Sequence, residues 1–151
     1  MTKICFICHG NICRSPMAEY VLKHKLKLNN LENKIIVVSR ATSYEEQGND
    51  MHSGTKRMLE QNNIEYTHHK ATRLEKEDYN RFDHFICMDD NNMKNTLLIF
   101  GEDKEHKIFK LLKDKNVKDP WYTGNFEETY EDIDIGTDRI IGMLKIELNN
   151  K

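Results

Sequence analysis

The stretch Ile4-Cys5-Phe6-Ile7-Cys8-His9-Gly10-Asn11-Ile12-Cys13-Arg14-Ser15-Pro16 joins a short apolar run, a tight polar loop and the start of an amphipathic segment. It reads as strand, loop, helix. In that context the backbone N–H groups from His9 to Ser15 curl around one point and form an anion nest, to which the positive end of the following helix adds. Cys8, at the first position of the loop, would sit beneath a bound anion. Five residues separate it from Arg14, whose guanidinium can fold back over the same hollow and grip two oxygens in bidentate fashion. A thiol, an amide nest and a guanidinium at this spacing are what holding and attacking a phosphate requires.

Outward from this loop the chain alternates as a parallel sheet demands. Lys3 to Cys8 is the first strand. Pro16 to about Leu28 reads as a helix with Met17, Val21, Leu22 and Leu26 on one face, Ser15 as N-cap and Pro16 in the first turn. Ile35 to Ser39 is a second strand, and a polar loop with Gly48 and Asn49 leads to a weaker helix from about Ser53 to Gln61. Glu75 to Arg81 reads as a short helix, His84 to Met88 as a third strand, and Asn91 to about Ile99 as a helix with Met93, Leu97 and Leu98. Lys107 to Leu112 supplies a fourth strand. After the turn-rich Asp119-Pro120-Trp121-Tyr122-Thr123-Gly124, a long helix starts near Phe126, with Gly136 and Gly142 as weak points inside it. The order predicts an α/β fold: one domain over residues 1–151, with a doubly wound, four-stranded parallel sheet and helices on both faces. Sites in such sheets lie at the carboxyl ends of the strands.

Composition narrows the function classes. A chain of 151 residues with a net charge of −2 and 32% charged residues carries no basic footprint for a nucleic-acid partner. Lys23-His24-Lys25-Leu26-Lys27 reads as a solvated helix face. The first apolar run ends at Cys8, too short for a signal peptide or a membrane span, so the expectation is a soluble cytoplasmic protein without membrane insertion. Cysteines at 5, 8, 13 and 87 show neither paired zinc spacing nor a secreted disulfide framework. Cys5 and Cys8 form a single Cys-x-x-Cys across the end of a strand, and reduced thiols suit it better than a redox or metal motif. Cys5 and Cys87 read as core.

Displacing an oxygen leaving group from phosphorus also needs a proton donor. Asp119 is the candidate: Pro120 biases it towards an extended conformation, and Trp121 and Tyr122 offer flat apolar surface to an aromatic leaving group.

Taken together, these residues resemble the low-molecular-weight protein tyrosine phosphatase family over nearly the whole chain. The opening motif stands as Cys8-His9-Gly10-Asn11-Ile12-Cys13-Arg14-Ser15-Pro16, followed by Met17-Ala18-Glu19, and the late motif as Asp119-Pro120-Trp121-Tyr122. Weaker matches are Ser39, Ala41-Thr42-Ser43, Gly48-Asn49, His69 and Phe82-Asp83 leading to Cys87-Met88-Asp89. Two departures stand out. Asp50-Met51-His52 follows Gly48-Asn49, where the family often has proline and a longer loop, and Trp121 replaces the first of two adjacent tyrosines.

The resemblance implies metal-independent hydrolysis of protein phosphotyrosine by a monomer that needs no cofactor. Cys8 would be the thiolate nucleophile, Arg14 and the amides from His9 to Ser15 the phosphoryl clamp, and Asp119 the general acid and then base. Ser15 would donate to the thiolate, and Asn11 would hold a left-handed loop conformation supported by Ser39 and His69. Tyr44, Trp121 and Tyr122 would line the pocket mouth, and Cys13 would be the disulfide partner of an oxidised Cys8. Alternatives within the fold are a protein-arginine phosphatase, whose relatives carry Thr at the position of Ile12, and an arsenate reductase, which needs two further cysteines where this chain offers only Cys87.

Overall fold

Four consecutive residues of strand β1 (Thr2–Cys8), from Ile4 to Ile7, are fully buried, and their side chains enter two separate cores. Burial on both faces is what a central strand of a parallel sheet requires. In the computed structural model, which describes residues 1–150, β1 pairs in parallel with β2 (Ile35–Ala41) and with β3 (His84–Cys87), and β3 pairs in parallel with β4 (Ile108–Lys110). The sheet order is β2-β1-β3-β4. On one face Ile4 and Phe6 pack with α1 (Arg14–Leu28), α2 (Ser53–Gln61) and α5 (Phe126–Asn149) through Met17, Val21, Leu59, Ile133 and Leu144. On the other, Cys5 and Ile7 meet Phe85, Cys87 and Phe100, with α3 (Asp90–Phe100) and a 3₁₀ turn at Lys76–Asn80 as the cover. Helices on both faces make the fold doubly wound, and the carboxyl ends of β1 and β3 converge on the Cys8 loop.

Several element ends differ from the sequence reading. β2 runs on to Ala41 because Ala41 pairs with Cys8 on one side and bridges Arg73 on the other. β4 shrinks to three residues, since it is an edge strand and Leu111 turns inward to full burial, its N–H still bonded to the Cys87 carbonyl at 2.9 Å. Ser15 is not the N-cap of α1. The helix begins two residues before Pro16, at Arg14, capped by Cys13 without a side-chain bond, because the Ser15 hydroxyl is engaged by Cys8 and Asn11 instead. In α3, Leu97 and Leu98 point to solvent, and the buried face is Asn92, Thr96 and Phe100. Asp89 sets that register by accepting from the Asn92 N–H at 2.7 Å in a reciprocal capping box. No helix among the described residues is long and apolar enough to cross a membrane.

The long last helix is continuous through both glycines, and they are not equivalent. A Cβ on Gly136 would stand 2.4 Å from Leu111 Cγ, whereas one on Gly142 would meet nothing within 4 Å. Gly136 is therefore the seat of Leu111, while Gly142 only weakens the helix. Gly136→Ala should destabilise by about 1–3 kcal/mol through overpacking, and Gly142→Ala should stabilise by about 0.5–1 kcal/mol. Urea unfolding of both variants reads this; two changes of the same sign would contradict the assignment.

Candidate active site

The loop between β1 and α1 turns on Asn11, whose φ of +61° lies in the left-handed region that side chains seldom adopt. Four partners hold it. Its Nδ2 donates to Ser15 Oγ at 2.8 Å and Ser39 Oγ at 2.9 Å, its Oδ1 accepts from the Thr72 N–H at 3.0 Å, and its carbonyl lies 2.7 Å from His69 Nε2. The hydroxyl protons follow from this arrangement. Ser39 accepts from Asn11 and donates to Glu19 Oε1 at 2.6 Å, and Glu19 in turn pairs with Lys23. Ser15 also accepts from Asn11, so its own proton is free to point at Cys8 Sγ, 3.0 Å away.

Cys8 Sγ therefore sits at a focus of donors: the Ser15 hydroxyl, the Asn11 N–H at 3.3 Å and the Ser15 N–H at 3.4 Å. The other three thiols are in a different situation. Burial pushes Cys5 and Cys13 well up and Cys87 up to about 12, so all three stay protonated at neutral pH. All four cysteines are free.

Arg14 is 2% exposed, and its two terminal nitrogens are held unequally. Its Nη1 donates to Asp89 Oδ2 at 2.7 Å and to the Val117 carbonyl at 2.9 Å, and its Nη2 lies 3.6 Å from Asp119 Oδ2. Burial works against the cation, yet Cys8, Asp89 and Asp119 around it outweigh that and hold its pKa above the ordinary value. Asp89 is a site residue that sequence reasoning quoted without a role. One of its oxygens caps α3 and the other orients Arg14; the Asp-x-x-Asn spacing of a capping box was the available signal. Asp119 likewise uses Oδ1 to cap α4 (Pro120–Thr123) through the Trp121 N–H at 3.0 Å, which turns Oδ2 towards Arg14. His52 stacks on Phe126 and meets Trp121 edge-on, fixing the outer wall.

These residues enclose a cavity of about 110 Å³ lined by Cys8, His9, Gly10, Ile12, Cys13 and Arg14 from the loop and Asp119, Trp121 and Tyr122 from the far wall. Tyr44 does not line it, contrary to the sequence reading. Its hydroxyl donates to Glu75 Oε1 at 3.0 Å and its ring lies under the Arg73 guanidinium, so the side chain is drawn away. Glu45 and Glu46 take that part of the rim, and nothing in the sequence signalled them. Among the described residues no group of three or more His, Cys, Asp or Glu is placed to hold a metal ion. The arrangement can seat a small oxyanion between a thiol, a guanidinium and a carboxyl group that share one cavity.

Comparison with known proteins agrees with this geometry. The family model described as low molecular weight phosphotyrosine protein phosphatase matches residues 3–150. The low molecular weight protein-tyrosine-phosphatase PtpA of Staphylococcus aureus is 35% identical, covering 100% of this chain and 99% of that protein. Among solved structures, SP-PTP, the low molecular weight protein tyrosine phosphatase of Streptococcus pyogenes, is 39% identical with a TM-score of 0.89, covering 95% of this chain and 93% of that one. YfkJ from Bacillus subtilis superposes with a TM-score of 0.93 at 33% identity, covering 97% of this chain and 96% of that one.

Asp50, which departs from the family pattern, ties His69 into place. Its Oδ1 accepts from the N–H groups of Met51 at 2.8 Å and His69 at 2.9 Å, and its Oδ2 meets Lys56 at 2.6 Å. Partial burial opposes its ionisation, but Lys56 and the two amides prevail and hold the carboxyl well below the usual range. Its contribution to stability is therefore full above the ordinary carboxylate pKa and lost as pH falls through the lowered folded value. Asp50→Asn should melt below the wild type at pH 7, with the gap closing below about pH 4. A gap constant with pH would mean that the charge of Asp50 has no part in holding His69.

Proposed function

The chain belongs to the low molecular weight phosphotyrosine protein phosphatase family and is an enzyme of that kind, and from this premise we propose that residues 1–151 form one phosphatase domain that hydrolyses protein phosphotyrosine and small aryl phosphates through a phosphocysteine on Cys8. The observation that carries this reading is the convergence of three donors on Cys8 Sγ within 3.4 Å, beneath a pocket closed by Arg14 and Asp119. Donors aimed at sulfur favour the thiolate, which is the nucleophile. The thiolate attacks phosphorus as the bond to the phenolic oxygen breaks. Arg14 and the loop amides hold the equatorial oxygens as charge spreads over them, and Asp119 gives its proton to the leaving phenolate. In the second step the Asp119 carboxylate takes a proton from water, the water oxygen attacks phosphorus, and the P–S bond breaks. The Ser15 hydroxyl stabilises the departing thiolate. None of these steps uses a metal.

Ile12, apolar and at the pocket wall, supports an aryl phosphate over the arginine phosphate that a threonine there would favour. We also carry forward Cys13 as the redox partner of Cys8. Peroxide would oxidise the Cys8 thiolate to a sulfenic acid, and the Cys13 thiol would displace water from it to close a disulfide, reopened by an external thiol.

Cys8→Ser should abolish turnover of aryl phosphates while still binding inorganic phosphate; near-normal turnover would end the covalent mechanism. For Asp119→Ala, kcat should fall by about 10² to 10⁴ on phenyl phosphate and less on a phosphate with a good leaving group, whereas equal losses would leave Asp119 only its capping role. A panel of phosphotyrosine, phosphoserine and phosphoarginine peptides should show phosphotyrosine hydrolysed fastest. After mild peroxide treatment, mass spectrometry should find a Cys8–Cys13 linkage, and Cys13→Ser should recover poorly on adding thiol; equal recovery would remove the switch.

A further inference from the structure

A pocket whose floor binds an anion would gain from a neutral or positive rim, yet this one is ringed by carboxylates. Glu45 and Glu46 line the same cavity as Trp121 and Tyr122, and Asp119 adds a third carboxyl group to the lining. Glu45 is 70% exposed; one oxygen lies 3.1 Å from His9 Nε2, itself half exposed, and the other is free to meet solvent or substrate. Glu46 lies against the loop itself: a methyl group on Gly10 would stand 3.4 Å from its Cγ, and Asn49 Nδ2 donates to its Oε2 at 2.7 Å. Among the described residues the only lysine or arginine lining the pocket is Arg14, which is buried, with Asp89, the Val117 carbonyl and Asp119 around it.

Resting on the reading of this pocket as a phosphotyrosine site, we propose that Glu45 and Glu46 determine specificity by selecting phosphotyrosine flanked by lysine or arginine. The physical ground is a charge pattern that matches a dipolar ligand. A phosphate dianion entering alone passes carboxylates of its own sign, at a cost that a neighbouring cation in the substrate offsets. The aromatic part of the lining favours the same cation, because Trp121 and Tyr122 are 59% and 83% exposed and offer ring surface on which a guanidinium or ammonium can rest. Acidic flanking residues, by contrast, meet Glu45 and Glu46 as like charges. Because the contacts are exposed, the selection should be modest and salt-sensitive.

The test compares three phosphotyrosine peptides of one backbone, with lysine or arginine, alanine, or aspartate at the positions on either side of the phosphotyrosine. At low salt the wild type should hydrolyse the basic peptide with a kcat/KM about five- to twentyfold above the acidic one, and the ratio should fall towards unity in about 1 M salt. The double variant E45Q/E46Q should level the ratio, and E45K should invert it. A wild type that is indifferent to flanking charge or prefers the acidic peptide overturns the proposal, as does a ratio unchanged in E45Q/E46Q. Turnover of p-nitrophenyl phosphate, run alongside, reports on the chemistry itself. If it is absent, the phosphatase reading fails separately, and the affinity ranking of the same peptides, measured by calorimetry, still decides for or against the rim.

Discussion

Asn11 holds a left-handed backbone in the middle of the anion loop, a conformation that costs a non-glycine residue roughly 1–3 kcal/mol and is kept here by bonds to Ser15, Ser39, Thr72 and His69. Most of the site depends on that turn. It aims the Asn11 N–H at the sulfur and fixes the direction of two hydroxyl protons, so that Ser15 donates to Cys8 while Ser39 donates to Glu19. Glycine would relieve the strain but would lose the side-chain amide that sets those directions. Asparagine is the residue that tolerates the backbone and also does the organising.

The second dependence is electrostatic. A guanidinium with almost no solvent contact must be paired, and Asp89 and Asp119 supply unequal partners at 2.7 and 3.6 Å. The short bond to Asp89 and the bond to the Val117 carbonyl anchor one nitrogen. The longer approach of Asp119 leaves the other nitrogen open towards the pocket. Each carboxylate also caps a helix with its second oxygen, so the charges around Arg14 are set by backbone geometry rather than by flexible side chains.

Legibility in the sequence followed the range of the interactions. The parallel order was readable because β1 and β3 are nearly continuous apolar runs separated by amphipathic helices. The loop between β1 and α1 is readable because Cys8 through Ser15 act within a short stretch of chain. The start of α1 is ambiguous in the sequence because the Ser15 hydroxyl could cap the helix or serve the loop, and only the fold shows Asn11 and Cys8 claiming it. Hydrophobicity alone does not say which way Leu97 and Leu98 face, whereas the capping box at Asp89 places Asn92, Thr96 and Phe100 on the buried face. The resemblance puts Tyr44 at the pocket mouth, but Arg73 and Glu75, about thirty residues on, draw it away.

Asp119 lies far along the sequence from Cys8, and the chain carrying it is stitched to the sheet one residue at a time. The Leu111 N–H bonds to the Cys87 carbonyl at 2.9 Å and the Val117 N–H to the Met88 carbonyl at 2.8 Å, so the segment after β4 prolongs the pairing of β3 beyond the strands themselves. Val117 is fully buried and its carbonyl accepts from Arg14, while the Lys118 carbonyl accepts from Thr129 Oγ1 at 3.1 Å. Leu111, at the base of this segment, is seated against Gly136 of the last helix. The placement of Asp119 beside Arg14 therefore rests on core packing at Leu111 and Val117 as much as on the Asp-Pro turn, and the closest approach at any glycine, Gly136 to Leu111, lies at the base of the segment that carries Asp119.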